Sequence, residues 1–390
     1  MSHSPWPKQS FSFGLFFFAY YGYVGVFSPY ASLFFAHRGM NAGQIGALMS
    51  LMSIMRIFGP TLWGWIADRS QIRVTVLRAT TLAALAIFSG MFYAKTFLLF
   101  FVVMALLNLF TAAQGPLSEA LMLTEMRGDL THYGKLRLWG SVGFIVAVSA
   151  AGELLDRFGV AWLPAIAFAL LGLVVCASWQ LRESAAAHPS GIAPSLRALT
   201  RRPEVLAFFC STFFMIAAHS ALYVFYSLYL ARQGYSKTLI GAMWSLGVLA
   251  EIAFFYFQAP IFRRFGVRRL MMLALAIAVL RFVLIGRFAD ALWVLVLAQV
   301  LHAATFGAHH SASVATLQRW FSGRLQARGQ ALYISVSYGL GGTFGGLSLA
   351  LVWQRVGPAA VFYTAALFAV AAWVAAALSF RWQISPQEHV

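Results

Sequence analysis

Seven ionisable side chains stand within otherwise apolar stretches of this 390-residue chain: Arg56, Glu119, Arg137, His219, Glu251, Arg281 and His302. A guanidinium can hold a carboxylate or phosphate through charge-assisted hydrogen bonds, and a carboxylate or imidazole can take up and release a proton. If the apolar stretches cross a bilayer, each charge near a span centre costs about 2.5 to 3.5 kcal/mol, so each requires a partner or a water-filled cavity. With the histidines neutral, three Arg face two Glu, and one cation lacks a protein partner. An anionic substrate would supply the missing charge, as would Asp68 or a phosphate headgroup.

The elements that must position these groups follow from composition. The chain is 61% apolar and only 10% charged, with mean hydropathy +0.76, where a soluble domain carries about 25% charged residues. A soluble enzyme, a disordered chain and a coiled coil are excluded. Continuous rather than alternating apolar runs also exclude a transmembrane β-barrel. Twelve runs are long enough to span about 30 Å of hydrocarbon as helices, at 11–36, 42–67, 74–94, 97–123, 133–155, 159–181, 204–231, 237–262, 269–287, 291–318, 329–353 and 357–380. The fold class is therefore an all-α polytopic membrane protein.

Of the 28 Lys and Arg, 18 fall at the N-terminus, the C-terminus and the even-to-odd connections, 7 in the opposite loops and 3 within spans. This bias predicts a multi-pass protein of a bacterial inner membrane with both termini cytoplasmic. The net charge of +17 is then a topology signal and not a nucleic-acid surface, since no soluble module accompanies it. The first run is too long and too aromatic for a cleaved signal and is expected to remain as a helix. Cys176 and Cys210 lie within spans and are expected to be packing residues, with neither a disulfide nor a thiolate metal site.

Counted from the start of each span, Arg56, His219, Glu251, Arg281 and His302 all lie roughly 16 to 23 Å deep, in one layer near the midplane. The chain also repeats. Ile45-Gly46-Ala47-Leu48-Met49-Ser50-Leu51 matches Ile240-Gly241-Ala242-Met243-Trp244-Ser245-Leu246 at an offset of 195 residues, half the chain, and the same offset carries Arg56 onto Glu251. Two six-helix bundles are expected at 1–181 and 204–390, joined by a polar cytoplasmic linker at 182–203 with breakers Pro189, Ser190, Gly191 and Pro194. Two parallel six-helix repeats are the plan of the major facilitator transporters, whose substrate site lies between them. The loop Gly64-Trp65-Ile66-Ala67-Asp68-Arg69-Ser70-Gln71-Ile72-Arg73 resembles that superfamily's glycine, aspartate and arginine motif. Gly64 would allow close helix approach, while Asp68, Arg69 and Arg73 would hold helix ends in alternate states. The second-half loop, Pro260 to Gly266, keeps the arginines and glycine without the aspartate.

Other features carry blander readings. His309 and His310 point to different faces of one helix, so no metal site is expected. Gly339, Gly341, Gly342, Gly345 and Gly346 read as close helix packing and not a phosphate loop. The aromatic series from Phe16 to Phe27 is mainly packing surface, with Tyr20, Tyr23 or Phe27 available to line a cavity. No cofactor motif, nucleophile set or soluble signalling domain is present, so neither an intramembrane enzyme nor a sensor is expected.

The sequence resembles the bacterial 3-phenylpropionate permeases and, more distantly, the lactose permease type of proton symporters. The resemblance rests on Tyr133-Gly134-Lys135, Arg137-Leu138-Trp139-Gly140-Ser141, Ala218-His219, Trp244-Ser245-Leu246-Gly247-Val248, Ala250-Glu251, Leu301-His302 and Thr305-Phe306. In the lactose permease type, the acid and arginine at Glu119 and Arg137 contact substrate and an aromatic at the Phe144 position stacks on it. Arg281 and His302 match members of its coupling network. Thr305 replaces that type's proton-carrying glutamate, and Glu251 sits about two residues from its span 8 acid. The resemblance implies a proton-coupled importer of an aromatic carboxylate, monomeric in the bilayer. Arg137 or Arg56 would bind the carboxylate, Phe144, Trp139 or Trp244 the ring, and His219 would also contact substrate. Glu251 or His302 would carry the proton beside Arg281. A neutral sugar or nucleoside symporter and an exporter of the same fold are the alternatives.

Overall fold

Water does not reach the hydrocarbon to satisfy a free N–H or C=O, so each spanning segment must bond its backbone internally. The computed structural model, which describes residues 8–126, 132–183 and 197–383, does so with helices, and no strand occurs among the described residues. The first seven spanning elements are α1 Ser10–His37, α2 Ala42–Ser70, α3 Arg73–Tyr93, α4 Phe97–Glu125, α5 Tyr133–Phe158, α6 Val160–Gln180 and α7 Pro203–Arg232.

The next helix, Lys237–Phe288, has 52 residues, about 78 Å at 1.5 Å per residue and more than twice the hydrocarbon thickness. Gly266 breaks it, with φ 68° and ψ 163°, a conformation open to glycine because it has no Cβ. Residues 237–265 form α8 and 267–288 form α9. Helices α10 Leu292–Trp320, α11 Gln326–Arg355 and α12 Pro358–Trp382 complete twelve spans. Most of the expected linker, residues 184–196 with all four breakers, lies outside the described residues; a short helix, Arg197–Thr200, precedes α7.

Contacts divide the described residues into two compact units, one of 8–40, 58–126, 132–183 and 236–245, the other of 41–57, 197–235 and 246–383. Relative to the duplicated halves, each unit takes in one segment of the other half, and the repeated string explains both exchanges. In the second unit, a Cβ on Gly46 would lie 2.5 Å from Ala350 of α11, and Ser53, Ser50 and Ile57 press equally close on Gly342, Gly346 and Gly339. In the first unit, Gly241 of α8 meets Val148 of α5 and the Tyr30 hydroxyl. The two copies of the string thus do one job, bringing the first turns of α2 onto α11 and of α8 onto α5. The remaining α11 glycines, Gly341 and Gly345, pack on Phe213 and Ala217 of α7, as small residues at close helix crossings do.

Polar contacts fasten both junctions. The Asp156 carboxylate, at the end of α5, accepts the backbone N–H of Lys237 at 3.0 Å and of Thr238 at 2.7 Å, capping α8 from another helix. The Tyr30 hydroxyl lies between two carbonyl acceptors, Val148 O at 2.9 Å and Lys237 O at 3.0 Å. At the other junction, the Gln354 amide donates to Asn41 at 2.9 Å.

Two expectations are corrected. Cys176 and Cys210 are exposed on outward helix faces and do not pack in the core. Tyr23 and Phe27 are buried packing residues: they stack on each other at 5.7 Å and abut Phe88 within the first unit's core.

Close approach without space makes one substitution decisive. A Cβ on Gly143 would fall 2.1 Å from the Phe18 carbonyl oxygen, whereas one on Gly64 meets nothing within 4 Å. Gly143→Ala is expected to destabilise by about 1 to 3 kcal/mol and Gly64→Ala to leave stability unchanged. Thermal unfolding of the two purified variants in detergent checks the pair.

Candidate functional site

The polar centre of the second unit is built on Arg281 of α9, which is completely buried. Its Nε donates to the Ala298 carbonyl at 2.6 Å, Nη1 to Thr305 Oγ1 at 3.0 Å and to His302 Nδ1 at 2.8 Å, and Nη2 to Gln299 Oε1 at 3.4 Å. Four acceptors from α10 therefore hold one guanidinium. On its far side, His302 Nε2 lies 2.7 Å from Glu251 Oε1 of α8.

The proton order along this chain follows from donor chemistry. Arginine only donates, so His302 Nδ1 must be the bare, accepting nitrogen. Neutral His302 then carries its proton on Nε2 and donates it to the Glu251 carboxyl oxygen. A doubly protonated His302 would set an N–H against the N–H of Arg281. In this arrangement His302 bridges Arg281 and Glu251.

Arg56 of α2 belongs to the same unit and is held differently. Among the described residues no carboxylate lies within 4 Å of it, and its guanidinium sits 5.9 Å from the Tyr338 ring centre. Arg56 lines a small cavity with Ser53, Met52, Tyr223, Ser220 and Tyr338 among its walls. Its backbone is fixed by α11, where Ser335 Oγ donates to the Ile57 carbonyl at 3.0 Å.

Three helices around this centre carry one wide turn each, at Ala221–Tyr226 of α7, Ala303–Ala308 of α10 and Ile334–Gly341 of α11. Such π segments shift the register of the side chains that follow and recur at functional sites. Here they present Tyr223, Thr305, Phe306 and Tyr338.

The first unit holds a second pair. Arg137 Nε donates to Glu119 Oε1 at 3.2 Å, and its Nη2 donates to the Tyr21 hydroxyl, whose ring centre lies 4.2 Å from the guanidinium.

Against this geometry, the model of the MFS_1 like family matches residues 11–364. The chain belongs to that family. It is 30% identical over 337 residues to the probable 3-phenylpropionic acid transporter of Escherichia coli (strain K12), covering 83% of this chain and 86% of that one. It is also 30% identical over 336 residues to the maltose permease of Geobacillus stearothermophilus, covering 85% and 84%. Among solved structures, the nucleoside transporter NupG superposes with a TM-score of 0.84 at 18% identity, covering 96% of this chain and 99% of that one, a likeness of fold. The protein is a multi-pass membrane transporter of the major facilitator type and not an enzyme.

The remaining expected site residues of this MFS_1 like transporter are dispersed. Trp139 follows Arg137 by two residues and so stands on another flank of α5; its indole rests on Gly14, and it is 51% exposed. Phe144 packs on the backbone of α1 at Gly25. Trp244 is half-buried in the first unit's share of α8. His219 is not among the cavity-lining residues. Its Nδ1 donates to the Met215 carbonyl at 2.9 Å, and its ring backs His302 and Phe306, each 6.0 Å away.

The loop motif also changes meaning. Asp68 accepts from Arg73 at 2.8 Å, and Arg69 lies over Trp65 at 5.7 Å, so both are local to the turn. Arg73, the first residue of α3, also reaches beyond this turn to Thr124 of α4, 3.5 Å away. The close approach expected at Gly64 is not seen: among the described residues nothing lies within 4 Å of a Cβ placed there.

Sequence reasoning missed Tyr223, Gln299, Tyr338 and the bonding role of His310. Their positions were readable as polar groups inside spans, but uncharged groups are too common there to stand out.

Burial separates structural from peripheral arginines. Arg281→Leu is expected to cost roughly 3 to 5 kcal/mol, since it strands four acceptors and removes the buried positive charge behind the His302–Glu251 contact. Arg157→Ala breaks only an exposed pair with Glu153 and should cost under about 1 kcal/mol. Unfolding midpoints of the two variants, compared with the parent, measure the contrast.

Proposed function

We propose that this transporter is a proton-coupled symporter that imports a small organic anion, an aromatic carboxylate such as 3-phenylpropionate, by alternating access. The observation that carries this reading is Arg56, a cation with no carboxylate partner among the described residues, lining a cavity of tyrosines, hydroxyls and apolar side chains. The name of the Escherichia coli relative supports the substrate class. Arg137 is the weaker candidate for the carboxylate, because Glu119 and Tyr21 already occupy it.

In this mechanism the carboxylate docks on Arg56 through charge-assisted hydrogen bonds, with its ring against Tyr223 and the Tyr338 side of the cavity. Glu251 carries the proton. With Glu251 ionised, the second unit's core holds two arginines against one carboxylate; with Glu251 protonated, it holds two uncompensated cations. The protonated form therefore binds an anion more tightly, and by linkage a bound anion favours the protonated form. Coupled transport further requires that these affinities differ between the outward and inward states. The contacts of Asp156 with α8 and of Gln354 with Asn41 are among those that opening would break. The protein works as a monomer in a bacterial inner membrane, with the N-terminal end of α1 and the C-terminal end of α12 on the cytoplasmic side.

A neutral sugar is the second reading, favoured by the Glu119–Arg137 pair with its Tyr21 hydroxyl and by the maltose permease relative.

Uptake of labelled 3-phenylpropionate into proteoliposomes, with and without an inward proton gradient, separates them. Gradient-driven accumulation that aromatic acids block and maltose, lactose or a nucleoside does not is expected. Arg56→Gln should lower apparent affinity at least about tenfold, the scale of a lost hydrogen bond to a charge. Glu251→Gln should abolish accumulation while retaining counterflow. Undiminished accumulation by Glu251→Gln would remove that residue from the mechanism, and competition by sugars alone would replace the substrate class.

A further inference from the structure

The guanidinium of Arg56 needs a support that fixes it without consuming its donors. The face of Tyr338 is such a support, because a cation–π contact leaves the N–H groups free. Tyr338 is in turn fixed from two sides. Its hydroxyl lies 3.2 Å from His310 Nδ1 on α10, and the ring of Tyr333 meets it edge-on at 5.8 Å and 86°. His310 continues inward as a stack. Its ring is parallel to Phe306 at 6.2 Å and 9°, and Phe306 is parallel to His302 at 5.4 Å and 16°. Residues 302, 306 and 310 recur every four positions and so share one face of α10. The column ends where His302 meets Glu251 at 2.7 Å.

We propose that Tyr338 and His310 are positioning residues of the anion site: Tyr338 presents Arg56 to the substrate carboxylate, and His310 holds Tyr338 in that pose. Selection of a carboxylate over a neutral molecule of the same shape then depends on two side chains that carry no charge to the substrate. The column through Phe306 also places the anion contact and the proton-bearing group on one packed path, so a shift of the Tyr338 ring on anion binding is felt at His302. This inference rests on the reading of Arg56 as the carboxylate contact.

The test is binding and transport of 3-phenylpropionate, benzoate and the neutral 3-phenylpropionamide by the purified full-length protein and its variants. Tyr338→Leu is expected to raise Kd and KM for both carboxylates about tenfold, within the range of a lost cation–π contact. The amide, whose ring meets the same side of the cavity, should lose less affinity than the carboxylates, so the readout is a fall in the carboxylate-over-amide ratio. Tyr338→Trp, which keeps an aromatic face, should restore most of the loss. Tyr338→Phe and His310→Phe should each give a smaller loss of similar size, and the double variant no more than either single, because both remove one contact. If Tyr338→Leu does not fold, this non-additivity decides the matter with ring-retaining variants. Carboxylate binding that Arg56→Gln abolishes, with Tyr338→Leu and His310→Phe unaltered, would overturn the positioning role and leave the anion site standing. Absence of any Arg56-dependent carboxylate binding in the parent protein would overturn both.

Discussion

A guanidinium inside a lipid-embedded bundle cannot be neutralised by losing its proton, so protein or ligand must satisfy it. This chain places three arginines inside its spans and treats each differently. Arg281 donates to four acceptors of α10 and is tied through His302 to Glu251. Arg137 is paired with Glu119 and covered by Tyr21. Arg56 has an aromatic face and a cavity, with no carboxylate within 4 Å among the described residues. The degree of satisfaction underlies the roles proposed for them: the first architectural and orienting, the second occupied, and the third the contact for an anion.

The scaffold serves this arrangement through close packing rather than polarity. Lipid tails are as apolar as leucine, so helices associate in a bilayer by fitting together. Glycine and serine of α2 against glycine and alanine of α11 bring the Arg56 turn within reach of Tyr338, and Gly241 of α8 does the corresponding work against α5. The wide turns in α7, α10 and α11 then redirect side chains toward the polar centre at little cost, because neighbouring helices cover the loosened backbone.

Much of this was legible in the sequence. The apolar runs gave the spans to within a few residues, and Gly266 ends α8 where a breaker between basic residues stands. The charged groups buried in spans pointed to Arg281, His302 and Glu251 as one layer because charge is rare there. What the sequence hid were the angular positions. Trp139 and Arg137 lie two residues apart and read as one subsite, yet a helix sends them to different flanks. Gly64 reads as a contact because motif glycines often are, but whether a neighbour stands opposite is a tertiary fact. Tyr338 and His310 carry no formal charge, and their partnership crosses from α11 to α10 through π segments that shift the register any ideal helical count assumes.

The central claim is that an anion at Arg56 and a proton at Glu251 are thermodynamically linked. Addition of 3-phenylpropionate to purified protein in weakly buffered solution near pH 7.5, followed with a proton-sensitive dye, tests it without transport. The account predicts uptake of up to about one proton per bound anion, lost in Glu251→Gln. Saturable binding with no proton uptake, or uptake that persists in Glu251→Gln, would contradict it.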